Sequence, residues 1–407
     1  MPELQPTKIP TPSSREFVPL GSRFLSLPAV FPMRRGGCVK RGVLAFETWG
    51  TLSRGRDNAI LILTGLSPDA HAASSLSNPD AGWWERMVGP GKAIDTDTWF
   101  VICVNSLGSC KGSTGPASLA PNNTSTYRLD FPQLSIEDIA DAAAFAVRTL
   151  EIETLACVIG CSMGGMSALS LIARHPGLAR THISVSSAVH AAPFALAVRS
   201  LQRQAIRDDP NWRSGQYSDE TYPLAGMSIA RKLGLITYRS AIEWQARFGR
   251  ALAENRSAGQ RDGMLFSPEF AVESYLECHT KRFLRGFDPN SYLYLSQCID
   301  LFDLADQANG CADIALSQLA LERALVLGTD TDILFPLYQQ RQIADGLRAA
   351  GARTQFNELD SHQGHDAFLV DIPSFGAPIA NFLSDLSRKS RAVRAAPIEA
   401  AREEFVL

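Results

Sequence analysis

Short apolar runs alternate with helix-like stretches through most of the chain. Residues 43–48, 59–64, 99–104, 155–159, 182–186, 324–327 and 354–358 read as strands, several of them separated by helix-like segments such as 136–150. Alternation of this kind predicts a mostly parallel sheet covered by helices. Between about 190 and 315 the strand signal disappears, and residues 195–205, 227–232, 240–248 and 270–283 read as helices. This stretch is expected to form a helical insertion over the carboxyl edge of the sheet, where ligand sites of α/β folds lie. The pattern divides the chain into a flexible Pro/Ser/Thr-rich extension over 1–20, an α/β core over 21–190 and 316–387, a helical lid over 191–315, and a flexible tail over 388–407.

Composition narrows the functional classes. With Lys+Arg 39 against Asp+Glu 42 in 407 residues, there is no broad basic surface for nucleic acid or an anionic membrane, so an anionic ligand must be met locally. No apolar stretch approaches the roughly 20 residues of a membrane span, and the first thirty residues lack a secretion-signal pattern; a cytoplasmic enzyme is expected. The eight cysteines include no C-x-x-C pair and read as reduced core thiols, with no disulfide and no metal site.

The chemistry centres on Gly160-Cys161-Ser162-Met163-Gly164, which follows an apolar run and precedes a helix-like stretch ending near His175-Pro176-Gly177. This is a nucleophile-elbow pattern, in which a sharp strand-to-helix turn between small residues exposes the serine above the sheet. Ser162 holds the central motif position, so Cys161 reads as packing.

A serine hydroxyl needs a base to take its proton and a carboxylate to fix that base, and in this fold the chain order is Ser, then Asp or Glu, then His. Downstream of Ser162, the strand at 324–327 runs into Gly328-Thr329-Asp330-Thr331-Asp332, and the strand at 354–358 runs into Ser361-His362-Gln363-Gly364-His365-Asp366. Of the seven histidines, His175 and His182 read as structural, while His71, His190 and His279 lack a matching strand-end context. Between His362 and His365, the preceding glycine and the helix-like residues that follow favour His365. Between Asp330 and Asp332, the ordered Ile333-Leu334-Phe335-Pro336 anchor favours Asp332, leaving Asp330 as a turn or capping residue. The oxyanion hole is expected from the Met163 N–H and from Leu66 in the loop Gly65-Leu66-Ser67-Pro68 after the strand at 59–64. Gly89-Pro90-Gly91-Lys92 lacks the spacing of a phosphate loop and reads as a tight turn.

Further strings join these: Gly82-Trp83-Trp84, Asn105-Ser106-Leu107-Gly108, Gly112-Ser113-Thr114-Gly115-Pro116, Ser162-Met163-Gly164-Gly165-Met166 and Gly364-His365-Asp366-Ala367-Phe368. Over residues 28–385 the chain resembles the homoserine O-acetyltransferase family of α/β-hydrolase-fold acyltransferases. It is most similar to the serine O-succinyltransferase branch in Thr64-Gly65-Leu66-Ser67-Pro68-Asp69-Ala70-His71 and Cys103-Val104-Asn105-Ser106-Leu107-Gly108-Ser109-Cys110.

The resemblance implies a ping-pong acyltransferase with Ser162, Asp332 and His365 as its triad and Arg231 and Asp366 on the amino-acid acceptor. Residues 65–68 (Gly65, Leu66, Ser67 and Pro68) would set acceptor choice, and Arg199 acyl-CoA choice. It further implies a homodimer joined through the insertion, with acyl-CoA as co-substrate and no other cofactor. Succinyl transfer from succinyl-CoA to L-serine, for cysteine biosynthesis, is the expected reaction. Acetyl transfer to serine or homoserine, serving cysteine or methionine synthesis, is the alternative, followed by an esterase or thioesterase of the same fold.

Overall fold

The computed structural model describes residues 17–122, 124–253, 269–284 and 286–395. Its strands are β1 (Arg23–Ser26), a small hairpin of β2 (Val30–Pro32) and β3 (Cys38–Lys40), β4 (Val43–Trp49), β5 (Ala59–Leu63), a two-residue pair of β6 (Val88–Gly89) and β7 (Ile94–Asp95), β8 (Phe100–Val104), β9 (Cys157–Cys161), β10 (Thr181–Val185), β11 (Arg323–Thr329) and β12 (Arg353–Leu359). Eight of these build the main sheet, in the order β1-β4-β8-β5-β9-β10-β11-β12. From β8 to β12 the neighbours are parallel, and β4 and β1 add antiparallel pairings at one edge. The chain carries the expected α/β-hydrolase architecture.

The central strands are buried on both faces. Along β5, Leu61 and Leu63 enter one apolar cluster with α1 (Ile136–Thr149) and α2 (Met163–Arg174), while Ile60 and Ile62 enter another with Phe375, Ile379 and Phe382 of the last helix. The period-two alternation of a pleated strand makes this division, and covering both faces explains why the central strands read as unbroken apolar runs. All seven expected strands are present. The run expected at 155–159 pairs instead through Cys161, because β5 follows it to Gly160 and β10 to Cys161, so the turn itself is a single residue, Ser162.

The elements between β10 and β11 are helical: α3 (Pro193–Asp208), α4 (Leu224–Thr237), α5 (Ala241–Phe248), α6 (Ala271–Phe283), α7 (Pro289–Leu301) and the short α8 (Ala312–Ser317). The core resumes with α9 (Leu337–Ala349), α10 (Ala367–Val370) and α11 (Ile372–Ala395). Two sequence boundaries move. Phe17 is tied to the core through its N–H to the Cys110 carbonyl at 2.8 Å, so the attached chain starts before residue 21, and α11 carries regular structure past 388. Residues 1–16 and 396–407 of the expected tails lie outside the described residues. No single helix among the described residues is long and apolar enough to cross a membrane.

Candidate active site

Ser162 is the turn between β9 and α2, with φ 56° and ψ −124°. A non-glycine residue in that region costs on the order of 1–3 kcal/mol and persists only where its surroundings enforce it. Here they do. Its N–H donates to the Val185 carbonyl at 3.0 Å, and its carbonyl accepts from the Gly165 N–H at 2.9 Å and the Ser187 hydroxyl at 2.8 Å. The flanking glycines are dictated by contact. A β-carbon on Gly164 would stand 2.0 Å from the Leu63 carbonyl oxygen, and one on Gly160 would stand 2.3 Å from the Gly164 carbonyl oxygen.

The β11 and β12 loops meet the serine from the other side. His365 Nε2 lies 2.9 Å from Ser162 Oγ, and His365 Nδ1 lies 2.7 Å from Asp332 Oδ2. The other carboxylate oxygen of Asp332 accepts the N–H groups of Leu334 and Phe335, each at 2.9 Å. Hydroxyls of Thr329 and Thr331 both donate to the Ser361 carbonyl, lacing the two loops together. Phe335 stacks on the imidazole with centroids 4.9 Å apart, and Phe368 meets it edge-on. Burial disfavours the imidazolium, but the Asp332 charge and hydrogen bond, with Asp366 nearby, outweigh it and raise the His365 pKa above its ordinary value.

The competing residues fall away from this chain. His362 and Asp330 are exposed, whereas His365 and Asp332 are buried. His182 is locked in the sheet against the Val158 carbonyl, and burial lowers it to about 4. Cys161 is buried with its thiol pushed well up by desolvation, as a packing residue should be. His71 bridges Glu47 Oε2 and the Asp80 carbonyl, both at 2.9 Å, and so pins the chain that follows the β5 loop.

Above Ser162 lies a cleft lined by Leu66, Arg199, Gln202, Tyr238, Tyr292 and Phe335. Gly65, Ser67 and Pro68 do not line it themselves, so the β5 loop meets the cleft through Leu66. Met163 opens α2, where a backbone N–H has no carbonyl of its own helix to bond.

Asp366 is salt-bridged to Arg239, whose Nε stands 3.2 Å from Oδ2. Burial raises its carboxyl above the ordinary value, with Arg239, His365 and Arg231 each offsetting part of that. Arg231 lies over the Phe283 ring at 4.6 Å, and its buried Nε has no hydrogen-bond partner among the described residues. Tyr238, Tyr292, Gln202 and Arg239 belong to no local motif: Gln202 comes from α3, Tyr292 from α7, and Tyr238 and Arg239 from the segment between α4 and α5.

Comparisons with known proteins identify the family. A family model described as alpha/beta hydrolase fold matches residues 58–372. The serine O-succinyltransferase of Stenotrophomonas maltophilia (strain K279a) is 60% identical over 371 residues, covering 91% of this chain and 100% of that protein. An L-serine/homoserine O-acetyltransferase of Streptomyces lavendulae is 62% identical over 373 residues, covering 91% and 99%. The crystal structure of homoserine O-acetyltransferase from Bacillus anthracis matches with a TM-score of 0.81 at 27% identity, covering 90% of this chain and 98% of that one.

Proposed function

The chain belongs to the α/β-hydrolase-fold amino-acid O-acyltransferases, and from that premise we propose that it moves a succinyl group from succinyl-CoA to the hydroxyl of L-serine. One observation supports this reading above the others: the hydrogen-bonded series Ser162–His365–Asp332 opens on a cleft that also holds the buried, incompletely paired guanidinium of Arg199.

His365 takes the Ser162 proton as Oγ attacks the thioester carbonyl, and Asp332 stabilises the imidazolium that forms. The Leu66 and Met163 N–H groups hold the oxyanion. Collapse expels the CoA thiolate, which takes the proton from His365, and leaves Ser162 acylated. The serine hydroxyl then gives its proton to His365 and attacks the acyl ester, and Ser162 leaves with the proton returned. Arg231 and Asp366 hold the acceptor's carboxylate and ammonium, so that its hydroxyl faces the acyl group. Acyl-CoA enters as a co-substrate, and O-succinylserine is an activated serine suited to cysteine synthesis.

The 62% identical serine/homoserine O-acetyltransferase favours a second reading, acetyl transfer to serine or homoserine. A two-by-two assay of succinyl-CoA and acetyl-CoA against L-serine and L-homoserine separates the two. Dominance of succinyl-CoA with serine is the expected result, and dominance of homoserine with acetyl-CoA would replace it by the second reading. CoA release that ignores both acceptors would point to a hydrolase. The reading also places the protein in the cytoplasm as a homodimer, joined where Phe194 and Leu201 of α3 and Leu224, Ile229 and Ile236 of α4 are exposed.

A further inference from the structure

Arg199 and Arg203 lie one turn apart on α3 and project along the same face. Between them, near the end of α7, stands a single carboxylate. Asp300 Oδ1 accepts from Arg199 Nε at 2.5 Å, and Oδ2 accepts from Arg203 Nη1 at 2.6 Å. The same Arg203 nitrogen also donates to Ser296 Oγ at 2.9 Å, one turn before Asp300. Two guanidiniums thus share one carboxylate, which leaves a surplus positive charge.

The surplus is unevenly placed. Arg203 is held by Ser296 and Asp300 and does not line the cleft, whereas Arg199 does, beside Ser162 and His365. Arg199 is only 8% exposed, yet its Nη2 has no hydrogen-bond partner among the described residues. A buried charged donor left unpaired is costly, and one further carboxylate in the cleft would bring the cluster to two cations and two anions.

We propose that Asp300 and Arg203 are positioning residues for donor choice, which together make Arg199 a receptor for one carboxylate on the acyl group. Asp300 fixes the guanidinium by its Nε edge. Arg203 draws off half of Asp300, so that Arg199 keeps net positive charge to offer. This inference rests on the reading that the acyl group carries a terminal carboxylate. An amino-acid acceptor also carries one, and the experiment distinguishes the two sources.

The test compares kcat/KM for succinyl-CoA and acetyl-CoA at saturating serine in the full-length protein, with KM for serine measured alongside. In Arg203→Met, Asp300 is left wholly to Arg199, and the succinyl-to-acetyl ratio is expected to fall about tenfold, chiefly through KM for succinyl-CoA. Arg203→Lys, which keeps the charge, is expected to restore the ratio. In an Asp300→Asn background, Arg203→Met should leave the ratio unchanged, since no carboxylate remains to be shared. Where Arg203→Met folds poorly, Arg203→Gln removes the charge while keeping a donor for Ser296.

An equal fall with both donors assigns the cluster to packing and overturns the proposal. A change confined to KM for serine assigns the carboxylate to the acceptor, and also overturns it. Arg199→Met separates the layers. If it leaves the ratio intact, the donor reading itself fails; if it collapses the ratio while Arg203→Met does not, only the present inference fails.

Discussion

Asp332 Oδ2 stands 2.7 Å from His365 Nδ1, while the opposite oxygen of the same carboxylate is held by two backbone N–H groups of its own loop. The carboxylate is therefore anchored by its own loop independently of the imidazole. Asp332→Asn cannot satisfy both sides with one carbonyl oxygen, and the imidazole loses the partner that selects its tautomer. A fall in kcat of about 10⁴-fold is expected from steady-state transfer assays, with the fold unchanged by circular dichroism.

Ser162→Ala is expected to abolish transfer, by at least about 10⁴-fold, without loss of folding. Mass spectrometry after mixing with acyl-CoA should show an acyl adduct on the parent protein and none on the variant. Appreciable residual turnover by the purified variant would falsify the acyl-serine route.

The pH profile follows from His365. Its raised pKa means that the imidazole is protonated, and unable to accept the Ser162 proton, up to a pH above the ordinary imidazole value of 6.5. The acid limb of kcat/KM is expected to turn above 6.5, and to move down in Asp332→Asn, where burial acts unopposed by that carboxylate. A wild-type limb at or below 6.5 contradicts the electrostatic account.

Asp366→Asn is expected to split the two half-reactions. CoA release in the first turnover should persist, because the triad is complete without this carboxylate. KM for the amino-acid acceptor should rise by at least about tenfold, since a charge-assisted contact is lost. Rapid-mixing measurement of CoA release, with and without serine, checks both.

Gly164→Ala places a β-carbon 2.0 Å from the backbone oxygen of Leu63, where no side-chain adjustment relieves the clash. Thermal unfolding is expected to show a loss on the order of 3 kcal/mol or more, with activity lost in parallel as the elbow shifts. Near-parental stability would mean that the elbow yields more readily than its contacts imply.

The legible parts of this protein are those in which one local pattern carries the physics. Doubly covered strands leave unbroken apolar runs, and the elbow needs small residues within one pentapeptide, so the sheet and Ser162 could be read directly. His365 and Asp332, and not His362 or Asp330, are the residues that join Ser162 in a hydrogen-bonded series, and the loop anchoring that aims them leaves a trace in the next few residues of sequence. The Arg199–Asp300–Arg203 cluster joins α3 to α7 across about a hundred residues of sequence, and the Asp366–Arg239 pair joins the loop after β12 to the segment between α4 and α5. Contacts made only by tertiary packing leave no periodicity or motif. β1 escaped for a different reason, since a half-exposed edge strand has no apolar run.

The loop that carries His365 is held by two parts of the molecule at once. Gly364, with φ 66°, lies so close to Tyr238, Arg239 and Ser240 that a β-carbon there would come within 3 Å of their backbone, and the Asp366 N–H bonds the Tyr238 carbonyl at 3.0 Å. The segment between α4 and α5 is thus the floor on which the histidine loop rests. Any displacement of the helices at this seam would carry the imidazole away from Ser162, so that a disturbed floor disarms the enzyme. A water molecule entering through such a breach would meet an acyl group with no base in place to help it attack.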